Sequence, residues 1–482
     1  MARPVSPWES ADASAFLRGW QAREAANAFA GRRWHARRRV AMLVGPTPLP
    51  GPSMRHLYNA VFRLLLPLVF LRLLWRSRAT PAYRRRWGER LGFAPAGNSG
   101  GARAVSARVI WLHAVSLGET LAARPLVEFL LAEFPDLPLV VTTSTPTGSQ
   151  QVRTLFGERV LHVYAPLDTP GAVDRFLTRY PPRLLLLIET ELWPNLLHAC
   201  RQRDCPILLA NARLSERSRR GYARLGRFGR DMLSCVSHVA CQSQDDADRF
   251  AALGVPPGRL SVCGNIKFDI DIGADYAARV RRLVAEWDSA GRFVLVAAST
   301  HAGEDEAVLS AFAVLRRQRP AALLVLVPRH PERFDAVYAL CRAGGWQVCR
   351  RSLGEPPGPQ ADVLLGDTVG ELLLLLGTAD AAFVGGSLVP RGGHNLLEPA
   401  ALGVPVLSGF SLFNFAAVRD LLLGSGALQL VMDGGELGAV LCELARDEDR
   451  RTGMGRAGRD AVQANRGARA RIETLVRQLL PP

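Results

Sequence analysis

Lysine is nearly absent from this chain of 482 residues: of its 60 basic side chains, all but Lys267 are arginine. A chain that writes every other cation as a planar guanidinium and keeps one compact ammonium, in "GNIKFD" (264–269), marks that position for a point charge rather than a fork. Codon bias in an arginine-rich genome is the competing account. Cysteine pairing is missing as well. The eight cysteines, from Cys200 to Cys442, show no CxxC pair and no zinc-like spacing. That excludes a disulfide scaffold and fits reduced thiols used as small core fillers. There is no HExxH and no other metal-ligand spacing, so neither a catalytic metal nor a cofactor is implied. No Walker A motif and no GxGxxG after the first strand appear, which argues against a P-loop enzyme and a dinucleotide oxidoreductase.

Negative charge is scarce at one end. Residues 1–90 hold seventeen arginines against Glu9, Asp12, Glu24 and Glu89, which places 13 of the 16 net positive charges there. The rest of the chain is nearly neutral. A nucleic-acid groove through the whole molecule is thereby excluded, and one basic end that meets an anionic membrane surface is expected. A clean membrane span is also lacking. The most apolar run, 57–75, approaches the ~20 residues a span needs, but Arg63, Pro67 and Arg72 interrupt it. It reads as an interfacial helix or a short anchor, with a buried first helix as the alternative. Arg76, Arg78, Arg84, Arg85, Arg86 and Arg90 follow it and favour the cytoplasmic side. Residues 1–53 show no useful periodicity and read as a disordered extension, with Met54 the expected natural start.

Beyond the basic end the chain alternates. Apolar runs at 108–112, 138–143, 183–188, 206–210, 293–298, 322–327, 380–384 and 404–407 read as buried strands separated by helical patterns. The fold class is α/β, with two Rossmann-like domains facing a cleft. The expected division is 1–53 extension, 54–84 anchor and basic segment, 85–272 first Rossmann-like domain, and 273–482 second Rossmann-like domain with a tail helix.

The chemistry-bearing motifs stand at strand ends. In "WLHAVSLGET" (111–120) Ser116 and Gly118 permit a tight turn, and Glu119 reads either as a helix-capping acid or as a general base facing the cleft. "TTSTPTGSQ" (142–150) ends a strand in a hydroxyl-rich helix start. In "IETELWPNLL" (188–197) Glu189 and Glu191, two apart in an extended segment, would share a face, with Arg213 and Arg217 of "ANARLSERS" as possible partners. "LVPRHPERF" (326–334) supplies Pro328, Arg329 and His330, and "GDTVGEL" (366–372) follows. The strongest signal is "GGSLVPRGGHNLLEPAALGVPVLSG" (385–409). Its glycines, Gly393 among them, let backbone approach a ligand. The helix opening at Asn395–Glu398 has the logic of a nucleotide-sugar site.

Those motifs, with "YRRRWGERLGF", occur in the order seen in the bacterial 3-deoxy-D-manno-octulosonic acid (Kdo) transferases of lipopolysaccharide assembly, which the chain resembles over nearly all of 54–482. The resemblance implies the GT-B architecture and an inverting, metal-independent transfer of Kdo from CMP-Kdo to the glucosamine 6′-hydroxyl of the lipid A precursor. It places the protein at the cytoplasmic face of the bacterial inner membrane. It makes Glu119 the proton acceptor and Pro328, Arg329, Val369, Gly370, Glu371, Asn395, Leu396, Leu397 and Glu398 the CMP contacts; Leu396 is a local departure from the family's run. Lys267, at the end of the first domain, is expected to touch the donor's phosphate or the Kdo carboxylate. Another GT-B glycosyltransferase acting on a membrane lipid is the nearest alternative, and a non-enzymatic lipid-binding protein a more distant one.

Overall fold

The computed structural model describes residues 53–78, 80–93, 108–289 and 291–480; the extension expected before the first helix lies outside the described residues. Helix α1 (Ser53–Arg76) opens them. From Met54 to Arg76 it is the one helix among the described residues long and apolar enough to cross a membrane. Leu64, Leu68, Leu71 and Trp75 are exposed on it, which sets aside the buried-helix alternative.

Fourteen strands follow among the described residues. The first seven are β1 (Val109–His113), β2 (Leu139–Thr143), β3 (Leu161–Tyr164), β4 (Pro182–Ile188), β5 (Ile207–Ala212), β6 (His238–Cys241) and β7 (Leu260–Val262). They form one sheet in the order β3-β2-β1-β4-β5-β6-β7. The second seven are β8 (Val294–Thr300), β9 (Leu323–Pro328), β10 (Val348–Arg350), β11 (Val363–Leu365), β12 (Ala381–Val384), β13 (Val406–Ser408) and β14 (Leu428–Leu430). Their order is β10-β11-β9-β8-β12-β13-β14. Every pairing is parallel.

Parallel strands need crossover helices, and those cover both faces. The core shows this directly. Val109 and Trp111 pack on one side of the first sheet, Ile110 and Leu112 on the other. In the second sheet Leu295 and Ala297 face away from Val296 and Ala298. These are the two Rossmann-like units of the GT-B architecture.

The helices that carry the site are α2 (Leu117–Glu133) after β1, α3 (Glu216–Arg224) after β5, α4 (Glu304–Gln318) after β8 and α5 (Leu397–Leu402) after β12. The last helix, α6 (Ala468–Leu479), departs from the expected division at 272/273. Ala468, Ile472 and Val476 are buried in the first unit's core with Ile110 and Leu112. Asp269 fastens the crossing: its two carboxylate oxygens accept from the Gly467 and Arg469 N–H groups, both at 2.6 Å.

The segment after α1 is tied to the first unit. Glu89 is buried, pairs with Arg86 at 2.6 Å and accepts from the Tyr164 N–H at 2.8 Å. Arg90 is buried with its guanidinium 4.2 Å from the Tyr164 ring centre. Two of the six arginines read as headgroup-facing therefore serve the fold, while Arg76, Arg78, Arg84 and Arg85 remain exposed.

Candidate active site

In the first sheet β1 and β4 are neighbours, and the chain proceeds outward from them in opposite directions. The crevice at their carboxyl ends is where open α/β sheets bind ligands. β1 delivers "AVSLGET" to that crevice. Ser116 caps α2, accepting from the Glu119 N–H at 3.4 Å and donating to Glu119 Oε1 at 2.8 Å. The Val115 N–H donates to Glu119 Oε2 at 2.7 Å. Glu119 thus sits in the first turn of a helix capped by Ser116, its carboxylate held by the Ser116 hydroxyl and the Val115 N–H, at the crevice. Burial pushes its carboxyl above the usual range; the Ser116 and Val115 hydrogen bonds and the nearby Lys267 oppose this, and Glu189 adds to it. Gly118 is exposed, and a Cβ there would meet only Ser116 Oγ, at 3.9 Å. It leaves the approach to Glu119 open instead of serving a tight turn.

β4 delivers Glu189 and Glu191, but not as two residues of an extended strand. Glu189 sits in the left-handed region at φ 61°, so the strand stops at Ile188 and the same-face argument does not apply. The carboxylates converge by another route. Lys267 Nζ lies 3.4 Å from Glu189 Oε1. Glu191 accepts from the Trp193 indole N–H at 2.9 Å. Burial, reinforced by the charge of Glu119, pushes Glu191 up to about 7. Arg213 and Arg217 are not the partners expected: among the described residues neither pairs with Glu189 or Glu191. Arg213 is exposed, and its carbonyl accepts from the Thr190 hydroxyl.

Lys267 is held by its backbone. Its N–H donates to Asn265 Oδ1 at 3.0 Å, and the Ile266 N–H donates to Asn211 Oδ1 at 3.1 Å. Ile266 packs in the first unit's core and Phe268 in the second's. The ammonium sits on the joint between the two sheets. Asn211, fully buried at φ 57° in β5, was not singled out in the sequence; its position before the basic stretch gave no hint of a support role.

The second sheet has the equivalent crevice between β8 and β12. A residue absent from the expected set organises it. Glu304 is completely buried and accepts from the N–H groups of His301 (2.9 Å), Gly386 (2.7 Å), Ser387 (2.9 Å) and Leu388 (2.9 Å). This pins the glycine loop to the end of β8. Gly393, at φ 77°, returns an N–H to the Gly386 carbonyl at 2.7 Å. Asn395 accepts from the Leu397 N–H at 3.1 Å and donates to Glu398 at 3.0 Å. Burial raises the Glu398 carboxyl; Asn395 and Arg329 counter it.

The expected CMP contacts come to this crevice unequally. Arg329 is exposed just past β9, where Pro328 is buried. Val369 is 82% exposed and Gly370 lies at φ 90°. The Glu371 carboxylate is already engaged by Arg351 at 2.9 and 3.1 Å and by the Thr368 hydroxyl at 2.6 Å; Arg351 holds it below the usual range. Leu396 and Leu397 are fully buried against Val384, so their side chains belong to the core and only their backbone is available to a ligand. The helix opened by this run, α5, has six residues.

Three histidines meet beside them. His301 Nε2 lies 2.9 Å from His394 Nε2, and the His330 ring is 5.3 Å from that of His301. Burial, then the Arg329 charge, pushes His394 down to about 4. His301 and His330 stand one and two residues past the ends of β8 and β9, a signal the sequence carries, but His394 comes ten residues after β12, and nothing in the sequence marks the three as neighbours.

Two parallel seven-stranded sheets, with an acid cluster at the crevice of the first and a glycine-loop site at the crevice of the second, define a GT-B glycosyltransferase. Residues 85–270 match the family model described as 3-deoxy-D-manno-octulosonic-acid transferase (kdotransferase). The chain is 40% identical over 427 residues to the 3-deoxy-D-manno-octulosonic acid transferase of Haemophilus influenzae, covering 88% of this chain and 99% of that protein. It is 40% identical over 430 residues to the Bordetella pertussis transferase of the same name, covering 86% and 97%. The crystallised C-terminal CMP-Kdo binding domain of WaaA from Acinetobacter baumannii is 31% identical, with a TM-score of 0.39; the match covers 40% of this chain and all of that domain. The chain belongs to the 3-deoxy-D-manno-octulosonic acid transferase family and is a glycosyltransferase.

Proposed function

We propose that the protein moves Kdo from CMP-Kdo to the 6′-hydroxyl of a glucosamine in the lipid A precursor, in one inverting displacement and without a catalytic metal. The observation that carries this reading is the setting of Glu119. It is a half-buried carboxylate with a raised pKa, fixed at a helix start on the topological switch point, beside Glu189, Glu191 and Lys267. A base whose pKa is moved toward the working pH takes a hydroxyl proton more readily, an effect typically worth ~10²–10⁴-fold. The activated oxygen attacks the anomeric carbon of Kdo as CMP departs. Pro328–Arg329, Val369–Gly370–Glu371 and Asn395 through Glu398 hold the CMP. Leu396 and Leu397 contribute through their backbone, and Gly393 lets the loop come close. Lys267 and Arg329 supply the cations that the donor's phosphate and the sugar's carboxylate require.

The exposed apolar α1, with Arg76, Arg78, Arg84 and Arg85 beyond it, holds the enzyme to anionic lipid at the cytoplasmic face of the bacterial inner membrane. The test is transfer from CMP-Kdo by Glu119→Ala and Glu119→Gln proteins that still bind CMP. Both are expected to lose at least ~10²-fold in kcat; near-normal turnover in either removes Glu119 from the role.

A further inference from the structure

Three histidines stand at the second crevice, and the transfer as described uses none of them. Two adjoin residues read as CMP contacts: His330 follows Arg329, and His394 precedes Asn395. The backbone brings the third to the same place. The Arg329 N–H donates to the Thr300 carbonyl at 3.0 Å, so Arg329 lies alongside the residue that precedes His301. The His394 ring rests over the glycine loop. Gly386 stands at φ 70°, and a Cβ there would meet His394 Cδ2 at 2.9 Å and Nε2 at 3.0 Å. A side chain at 386 would dislodge the imidazole.

The contact between two of the rings fixes how many protons they can hold. His301 Nε2 and His394 Nε2 are 2.9 Å apart, in rings 6° from parallel with centres 5.1 Å apart. One of those nitrogens donates and the other accepts. Two N–H groups cannot face each other at that distance, so the pair cannot become doubly charged while the contact lasts. It can take one further proton. The result is an imidazolium bonded to an imidazole, a charge-assisted hydrogen bond roughly twice as strong as the neutral one.

The surroundings set when that proton is taken. Burial holds both rings below the usual histidine range. Arg391 on the glycine loop and Arg333 after β9 oppose a charge on His301, and Arg329 opposes one on His394. The His330 ring, 5.3 Å from that of His301, acts in the same direction. The acids nearby are committed. Glu304 accepts from four backbone N–H groups, Asp305 is held by the Thr300 hydroxyl and Arg333, and Glu398 accepts from Asn395 at 3.0 Å. An arriving anion offsets the guanidinium charges and so favours the protonated pair. We propose that the His301–His394 pair belongs to the donor site: it takes one proton from solvent as the donor's anionic phosphate binds, and holds that charge beside the phosphate while CMP departs. The inference rests on the glycosyltransferase reading above, and it adds to Lys267 and Arg329 a cation that forms only with the donor present. The proton stays on the pair. The electron pair of the bond broken at the anomeric carbon remains on the phosphate oxygen, and the acceptor's proton goes to Glu119.

The test is calorimetric titration of the full chain, in neutral detergent micelles, with the methyl ester of CMP, a phosphodiester that does not itself titrate near neutral pH. Runs at pH 7 in buffers of different ionisation enthalpy count the protons bound with the ligand. The wild-type chain is expected to take up about half a proton or more per ligand, and its affinity to rise at least ~threefold per unit as pH falls from 8 to 6. His301→Gln and His394→Gln, with the fold checked by circular dichroism, are each expected to lose at least about half of that uptake, and the double variant all of it. His330→Gln, outside the pair, is expected to keep it. Binding without proton uptake in the wild-type chain overturns the proposal whatever the variants do. Full uptake in either pair variant also overturns it, as does loss of uptake in His330→Gln alone, because the proton then sits on another group. If the wild-type chain does not bind this ligand, the donor site and the pair fall together. If it releases no CMP from CMP-Kdo, the glycosyltransferase reading fails; if it does so while ligand binding brings no proton, only the histidine pair fails.

Discussion

Lys267 is placed by three neighbours at once. Ile266 belongs to one core, Phe268 to the other, and the ammonium between them reaches Glu189 and pulls on Glu119. A guanidinium is longer, flat and directional, so it cannot occupy that joint in the same way. Lys267→Arg is expected to bind CMP normally and to lose about tenfold or more in kcat; a wild-type rate returns the lone lysine to codon usage. Lys267→Gln tests the electrostatics separately. A general base works deprotonated, so activity falls as pH drops through the raised Glu119 pKa. Removing a cation that lowers that pKa moves the acid limb of kcat/KM to higher pH. A limb that stays in place would show that Lys267 does not act through Glu119.

Among the elements, α6 depends on a single carboxylate that comes from far away in sequence. Asp269 satisfies two of its unpaired N-terminal N–H groups. Asp269→Ala is expected to cost about 1–2 kcal/mol by denaturant unfolding, the usual range for a lost cap, with CMP affinity retained. That contact also shows what sequence reading could reach. Long apolar runs such as "RLLLLI" in β4 are legible because both faces of a parallel strand are buried. All eight such runs are strands within a residue or two. β3, β6, β7, β10, β11 and β14 were not: all but β11 put a polar side chain into a run of only three or four residues, which breaks the apolar signal. At the site, Glu119 and the glycine loop could be read because their motifs are local. The left-handed backbone at Glu189, the Glu304 anchor and the His301–His394 contact could not, because each depends on which strand ends lie side by side.

For the molecule as a whole, charge and protonation act at different places. Most of the net positive charge lies before residue 91 in the sequence, whereas three histidines are enclosed within the two sheet units. Burial pushes His113 down to about 4, and His394 likewise to about 4. His162, also under the Arg86 charge, falls to about 3. All three are neutral in the folded protein at neutral pH, whereas the unfolded chain takes up protons near 6.5. The unfolded state therefore binds more protons over the interval from about 6.5 down to about 4, and stability falls as pH falls through it. The buried Glu119 and Glu191, with raised pKa values, act in the opposite direction as the solution acidifies. His113 is almost wholly enclosed and bonded to the Thr142 hydroxyl at 2.8 Å; protonating it in place costs on the order of 3 kcal/mol. Denaturant midpoints measured from pH 8 to pH 4 should decline with the steep part below about 6.5. In His113→Gln, which keeps a hydrogen-bonding group but cannot charge, the decline should be shallower by a comparable amount. Parallel curves for the two proteins would show that His113 contributes nothing to acid unfolding.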